Sequence, residues 1–210
     1  MIGVISADDH AVVRSGIKHL LADTTDLCLV GEASNGVELL MLLQQKPCDV
    51  LLLDITMPGK DGLALLKEVH DKWPALAVVI LSMHPERQYA ARALRSGARG
   101  YVTKDGAPEQ LVEAIRVVAR GARYVSPTLA QVLAEQIDQG AGRPVQELLS
   151  DREFEVLVRI GEGKTVGEIA EELFLSTNTV STYRARVLAK LGLNTNADLF
   201  RFVEIHHLRD

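Results

Sequence analysis

Through about Tyr124 the chain alternates short, continuous apolar runs with longer segments in which apolar positions recur every three or four residues. The runs Ile2 to Ser6, Leu27 to Ala33, Val50 to Leu53, Ala77 to Ser82 and Gly100 to Val102 predict strands buried on both faces, as in a parallel sheet. Between them, Val13, Ile17, Leu20 and Leu21 mark one helix face, and Leu111, Ile115, Val118 and Ala119 mark another. The expected fold class is α/β: a doubly wound, five-stranded parallel sheet covered by helices on both sides.

The pattern changes at Ser126. One helix is predicted from Thr128 to Asp138, and then Gln139 to Pro144 has no periodicity and places two glycines before a proline, as in a linker. From Leu149 four short helical patterns follow without a strand candidate. The first opens on Ser150-Asp151-Arg152-Glu153, where Ser150 caps and Glu153 completes a capping box. The expected division is a first domain over 1–124, a linker with one helix over 125–148, and a smaller all-α domain over 149–210.

Composition narrows the possibilities. With 210 residues, 47% of them hydrophobic, the chain can supply a core to each of two modest domains. Its start, Met1 to His10, lacks a basic leader region, and its apolar runs are too short to cross a bilayer, so the cytoplasm is the expected location and no membrane partner is expected. Cys28 and Cys48 have neither CxxC spacing nor a histidine cluster and read as buried free thiols. A net charge of −5 argues against a uniformly basic nucleic-acid binder while leaving room for one basic helix.

In an open parallel sheet, chemistry collects at the carboxyl ends of the strands. Asp8 and Asp9 end the first predicted strand, Asp54 the third and Ser82 the fourth, and Lys104 follows the fifth. One such aspartate alone is commonly a helix cap or turn residue. Three converging carboxylates repel unless a divalent cation sits among them, and an oxygen-only set favours Mg2+ over zinc. A carboxylate beside Mg2+ can attack phosphorus, while the cation and a lysine offset charge on the transferring oxygens.

This ordered set, Asp8-Asp9, Asp54-Ile55-Thr56-Met57-Pro58-Gly59 with Asp61-Gly62, Ser82, and Tyr101-Val102-Thr103-Lys104, resembles the flavodoxin-like receiver domain of bacterial response regulators. The resemblance implies that Asp54 accepts a phosphoryl group from a sensor histidine kinase, that Asp9, Asp54 and the Thr56 backbone carbonyl hold Mg2+, and that Asp8 contributes through water. It further implies that Ser82 and Lys104 engage the phosphoryl oxygens and that Tyr101 is an aromatic switch residue. His84, two residues after Ser82, reads either as a loop histidine or as an influence on hydrolysis, and is left outside the set. A haloacid-dehalogenase-type phosphatase is the rival reading, but it wants a second aspartate two positions after the nucleophile, where Thr56 stands.

In the second domain, Glu168 to Leu175, a turn over Ser176-Thr177-Asn178-Thr179, and a helix from Val180 to Leu191 read as helix-turn-helix. At 100° per residue, Val180, Tyr183, Val187 and Leu191 share one side; Asn178, Ser181, Thr182 and Ala185 share the other. Between Leu173 and Ala197 the charged residues are Arg184, Arg186 and Lys190, all basic in an acidic chain, which suits a helix lying in a DNA groove. Leu149 to Leu157, Glu162-Gly163-Lys164, Glu168-Ile169-Ala170 and Leu175 to Arg184 are similar to the LuxR-type helix-turn-helix, and the two modules together resemble the NarL/FixJ subfamily. By that similarity Ser181, Thr182 and Ala185 face bases, while Thr179, Arg184, Arg186 and Lys190 approach phosphates. The implied partners are the kinase, double-stranded promoter DNA, RNA polymerase and a second copy of the active chain. The stripe Leu199 to Val203 fits packing either inside the domain or across a dimer. A receiver acting only through protein contacts is the third reading, and a stable complex with a specific duplex would remove it.

Overall fold

Five strands, β1 (Ile2–Ala7), β2 (Leu27–Ala33), β3 (Val50–Asp54), β4 (Ala77–Ser82) and β5 (Gly100–Thr103), form one all-parallel sheet in the order β2-β1-β3-β4-β5. This computed structural model describes residues 1–57, 62–138, 149–206 and 208. Pro58, Gly59 and Asp61 of the motif, and the predicted linker from Gln139 to Pro144, lie outside those residues. The chain divides into two units, Met1–Ala141 and Gly142–Asp210.

Strand order and the right-handed crossover rule together decide where the helices go. The step from β1 to β2 runs opposite to the three later steps. Helix α1 (Ala11–Ala22) therefore lies on one face, and α2 (Gly36–Gln45), α3 (Gly62–Lys72) and α4 (Glu86–Arg95) on the other. After β5, α5 (Pro108–Ala119) returns to the face of α1. There Ile17 and Leu21 of α1, with Leu111, Ile115 and Val118 of α5, share a core with Val4, Val50, Leu52, Val79, Leu81 and Val102. The alternate residues Ile5, Leu51, Leu53, Val78 and Ile80 are equally buried and face the other side. Each such side chain contributes about 1.5–3 kcal/mol of burial.

Strands β1, β3 and β5 each continue one residue beyond the sequence expectation, to Ala7, Asp54 and Thr103. Asp54 is still in the ladder, paired with Leu81. Cys28 and Cys48 are half-buried free thiols. A helix α6 (Pro127–Asp138) packs on α4 within the first unit, with Leu129 wholly buried. The Ser126 hydroxyl, which caps its start, donates to the Glu86 carboxylate of α4.

The second unit holds α7 (Asp151–Gly161), α8 (Val166–Glu172), α9 (Thr177–Leu191) and α10 (Asn196–Ile205), with no strand among its described residues. Capping boxes at Ser150, Thr165 and Thr195 start α7, α8 and α10. Ser176 caps α9, and Gly192, at φ 65°, ends it in the left-handed conformation glycine tolerates best. Helix α7 packs on α9 and α10, and α8 on α9, around Phe154, Leu157, Ile169, Val180, Val187, Leu199 and Val203. Of the stripe on α10, Leu199 and Val203 are thus internal; Phe200 and Phe202 are half-buried.

Candidate functional site

The sheet changes winding direction at β1, so the crevice beyond the carboxyl ends of β1 and β3 is where this topology places a site. Asp8, Asp54 and Ser82 are each wholly buried there. Asp8 Oδ1 accepts the backbone N–H of His10 at 2.8 Å, and the Asp8 carbonyl accepts from Arg14 at 2.6 Å, which anchors the loop to α1. Asp54 Oδ1 accepts from the Thr56 N–H at 2.8 Å and the Thr56 hydroxyl at 2.6 Å. The carboxylate is therefore held by the turn that follows it.

Just past that turn, Gly62 starts α3 against the backbone of Ile55. A Cβ at Gly62 would stand 2.2 Å from the Ile55 carbonyl oxygen, so any other residue here pushes on the loop that carries Asp54.

Lys104 closes the pocket from β5. Its N–H donates to the Ser82 carbonyl at 2.8 Å, which extends the β4–β5 pairing and aims the side chain inward. The ammonium stands 2.6 Å from Asp54 Oδ2 and 2.8 Å from Asp8 Oδ2. Burial alone would lower the lysine pKa; the charges and hydrogen bonds of Asp54 and Asp8 outweigh it and hold it above its ordinary value.

Ser82 connects this pocket to α4. Its hydroxyl accepts the His84 N–H at 3.1 Å, and the His84 carbonyl accepts from the hydroxyl of Tyr101 at 2.9 Å. The Tyr101 side chain is wholly buried. The His84 ring stacks on Tyr89 of α4, with centroids 4.4 Å apart. Ser82 and Tyr101 are both expected from the sequence; His84 is the link between them.

The donors suit a divalent cation. One atom from each of Asp8, Asp9, His10 and Asp54 lies within 4.8 Å of the others. Three carboxylates against one lysine leave two negative charges uncompensated, the charge of one such ion. Asp8 Oδ2 is buried and met by the Lys104 ammonium. His10 is the residue sequence reasoning missed: its Nδ1 stands 2.9 Å from Asp9 Oδ1 and 3.3 Å from Asp8 Oδ1. Its position directly after Asp8-Asp9 was the available signal. The hydrogen bonds shown for Thr56 come from its N–H and hydroxyl rather than the carbonyl expected at the metal.

On α9, Val180 and Val187 are buried while Ser181, Thr182, Ala185 and Arg186 are exposed, and Thr179 and Arg184 are half-exposed. Of the apolar side read from the sequence, Val180 and Val187 are buried and Tyr183 and Leu191 half-buried, opposite the exposed Asn178, Ser181, Thr182 and Ala185. Two of its cations are engaged elsewhere: Arg184 Nε donates to Asn196 Oδ1 at 2.6 Å, and Lys190 Nζ to the buried Glu153 Oε2 at 2.5 Å. The Thr182 hydroxyl bonds back to the Asn178 carbonyl at 2.9 Å.

Comparison with known proteins gives two family matches. Residues 4–116 match the response regulator receiver domain, and residues 147–203 match the LuxR family of bacterial regulatory proteins. The chain is 35% identical to the response regulator UvrY of Escherichia coli (strain K12), over 99% of its own length and 96% of that protein. It is 34% identical to the oxygen regulatory protein NreC of Staphylococcus carnosus, with 95% of each covered. Among solved structures it is similar to RcsB of Salmonella enterica serovar Typhimurium bound to promoter DNA in the presence of a phosphomimetic, with a TM-score of 0.63, 29% identity, and 97% of this chain and 98% of that one covered. A second RcsB–DNA complex superimposes with a TM-score of 0.61 at 30% identity, covering 97% and 98%.

Proposed function

Because the chain belongs to the two-component response regulators of the NarL/FixJ type, with a receiver domain and a LuxR-type DNA-binding domain, we propose that phosphorylation of Asp54 controls its binding to promoter DNA. The observation that carries this reading is the buried Asp54 carboxylate, held on one oxygen by Thr56 and on the other by Lys104 at the end of β3. We place the receiver at 1–124, the joining segment with its helix at 125–148, and the DNA-binding domain at 149–210.

An Asp54 oxygen forms the new P–O bond as the N–P bond of a kinase phosphohistidine breaks, leaving the electron pair on the imidazole. Asp8, Asp9, Asp54 and the Thr56 carbonyl would hold Mg2+, which supplies charge compensation to the transferring oxygens when bound. Lys104 already touches an Asp54 oxygen, so its ammonium is in place for the phosphoryl charge. The Ser82 hydroxyl turns from the His84 N–H to a phosphoryl oxygen. That frees the His84 segment, whose carbonyl holds Tyr101, and so passes the change to α4. Linkage of this kind is typically worth about 1–3 kcal/mol.

In the second domain α9 enters the major groove. Ser181, Thr182 and Ala185 face bases, and Thr179, Arg184, Arg186 and Lys190 approach phosphates. With few free cations on this helix, affinity rests on two copies bound to paired half-sites. A sensor histidine kinase, RNA polymerase and a second copy are the partners, and the cytoplasm is the location. No described helix is long and apolar enough to cross a membrane. We read the chain as a regulator and not an enzyme, its own chemistry confined to the phosphoryl group on Asp54.

The test is DNA-site selection with the full chain, with and without Mg2+ and a small-molecule phosphodonor, beside Asp54→Ala. Tighter binding to a repeated site with phosphodonor, abolished in Asp54→Ala, is expected. Labelling of the protein at a residue other than Asp54, or no labelling, overturns the assignment.

A further inference from the structure

We propose that α6 is a latch on α4, held by Glu86 and Leu129, and that a phosphoryl group on Asp54 loosens it through Ser82 and His84. The latch rests on the reading of Asp54 as phosphoryl acceptor and supplies the element that carries the change beyond α4.

Helix α4 is enclosed to an extent that its place on the sheet does not explain. A helix lying on a sheet buries one stripe, yet Tyr89, Ala90, Ala91, Arg92, Ala93 and Leu94 are all buried, from 0% to 7% exposed. At 100° per residue, six consecutive positions point all round the axis, so α4 is covered on its outer side as well. Helix α6, in the same unit, packs on it there.

The grip is local. Glu86, in the first turn of α4, accepts the Ser126 hydroxyl, and that hydroxyl in turn accepts the Leu129 N–H at 3.1 Å. One serine thus both starts α6 and ties it to α4. Leu129 is wholly buried, while Thr128, Ala130, Gln131 and Ala134 are exposed. Three of the six enclosed α4 positions are alanines, which bring little apolar area to a contact. A contact with so few anchors opens at low free energy, as a moving element requires.

The polar anchor sits beside the segment that the pocket controls. The His84 N–H donates to Ser82 Oγ at 3.1 Å, its carbonyl accepts from the Tyr101 hydroxyl at 2.9 Å, and its ring stacks on Tyr89 at 4.4 Å. Glu86 follows two residues later. When Ser82 turns to a phosphoryl oxygen, the His84 N–H loses its acceptor and the first turn of α4 shifts under α6. An undocked α6 adds its 12 residues to the segment joining the two units, about 18 Å of reach if it stays helical and about 40 Å if extended. That reach serves the second unit in seeking one of two paired half-sites.

Hydrogen exchange of the full chain, read by mass spectrometry on α6 peptides with and without Mg2+ and a small-molecule phosphodonor, tests the latch. Coupling of the usual size moves an opening equilibrium about 5- to 150-fold, so α6 amides are expected to exchange faster by that factor once Asp54 is labelled, and not in Asp54→Ala. Glu86→Ala removes the acceptor and leaves the Ser126 cap in place. Without phosphodonor it should speed α6 exchange about tenfold and tighten binding to the selected duplex, while α1 and α5 exchange as in the parent. Asp54 labelled with α6 exchange unchanged overturns the latch and leaves phosphorylation-controlled DNA binding standing. Phosphodonor-driven opening of α6 in Asp54→Ala overturns the route through the pocket. No labelling of Asp54 overturns the acceptor reading and the latch with it.

Discussion

Replacing Lys104 with methionine asks whether the pocket, apart from any metal, is held together by one ammonium. The side chain is 5% exposed, and its Nζ sits 2.6 Å from Asp54 and 2.8 Å from Asp8, both wholly buried. Methionine keeps the unbranched stem and removes the charge, so packing is largely kept and the two carboxylates are left facing each other. Breaking a buried ion pair by deleting one partner costs about 3–5 kcal/mol. Water reaches the pocket mouth beside the partly exposed Asp9, which eases the repulsion, so the lower end, about 3 kcal/mol, is expected. Against a typical domain stability of about 5–15 kcal/mol, that is a large fraction.

Trp73, the chain's one tryptophan, lies just past α3, so its fluorescence follows the first unit through a urea titration. With a slope of about 1–3 kcal/mol/M, the destabilisation moves the midpoint down by about 1 M or more in the presence of chelator. Adding Asp8→Asn to Lys104→Met should recover most of it, because one of the opposed charges is gone. Saturating Mg2+, at about a hundred times its Kd, should return about 2.7 kcal/mol. A midpoint for Lys104→Met within about 0.3 M of the parent, at unchanged slope, would refute the idea that this ammonium compensates the carboxylates.

Gly62→Ala should slow phosphodonor labelling of Asp54 and lower stability by about 1–3 kcal/mol, since the new Cβ meets Ile55 backbone; parent-like labelling in a timed phosphodonor assay would contradict it. Leu129→Ala should cost about 2–4 kcal/mol in the Trp73 urea transition, because Leu129 is wholly buried where α6 packs on α4; no measurable change would contradict that packing. Glu153 should make the second unit acid-sensitive. Burial raises its pKa, but Lys190 and the Ser150 cap outweigh that and hold it below 4.5, so its contribution is full above that value and disappears as pH falls through the lower folded one. Circular dichroism of Glu153→Gln should show a flatter stability profile below pH 4.5. Arg186→Ala should reduce the salt slope of DNA binding by about 0.9, because one fewer phosphate is neutralised; an unchanged slope in a salt titration would place Arg186 off the DNA.

The strands and the site residues at their ends were legible because a buried parallel strand is a continuous apolar run, and the first polar residue after it stands where the sheet opens. That logic reaches Asp8, Asp54 and Ser82 without further information, and Lys104 follows two residues past the end of its run. It also explains the one-residue shortfall at β3: a reading that stops at the first polar side chain stops before Asp54, although the backbone ladder includes it. The capping box at Ser150 was legible for the same local reason, Ser150 and Glu153 being three residues apart, whereas those at Thr165 and Thr195 were not read. The packing of α6 on α4 was not, because an amphipathic helix announces that it has an apolar face and not what covers it. Ser126 and Glu86 are separated by 40 residues.

The ion pairs show where charge reading fails in general. Arg184 and Lys190 were counted as cations available to DNA because nothing acidic lies near them in sequence. In the fold, Lys190 meets Glu153, 37 residues away and buried, while Arg184 turns to Asn196. For Lys190 to reach a phosphate, Glu153 must either stay buried without its partner or keep only its capping bonds to Ser150, a cost that comes directly out of DNA affinity. Arg186, exposed and with its guanidinium carbon 6.0 Å from the Tyr183 ring centroid, gives up less on the way to a phosphate. The basic helix read from sequence therefore has a rank order that only the tertiary partners supply: Arg186 first, then Arg184, whose partner is a neutral amide, and Lys190 last.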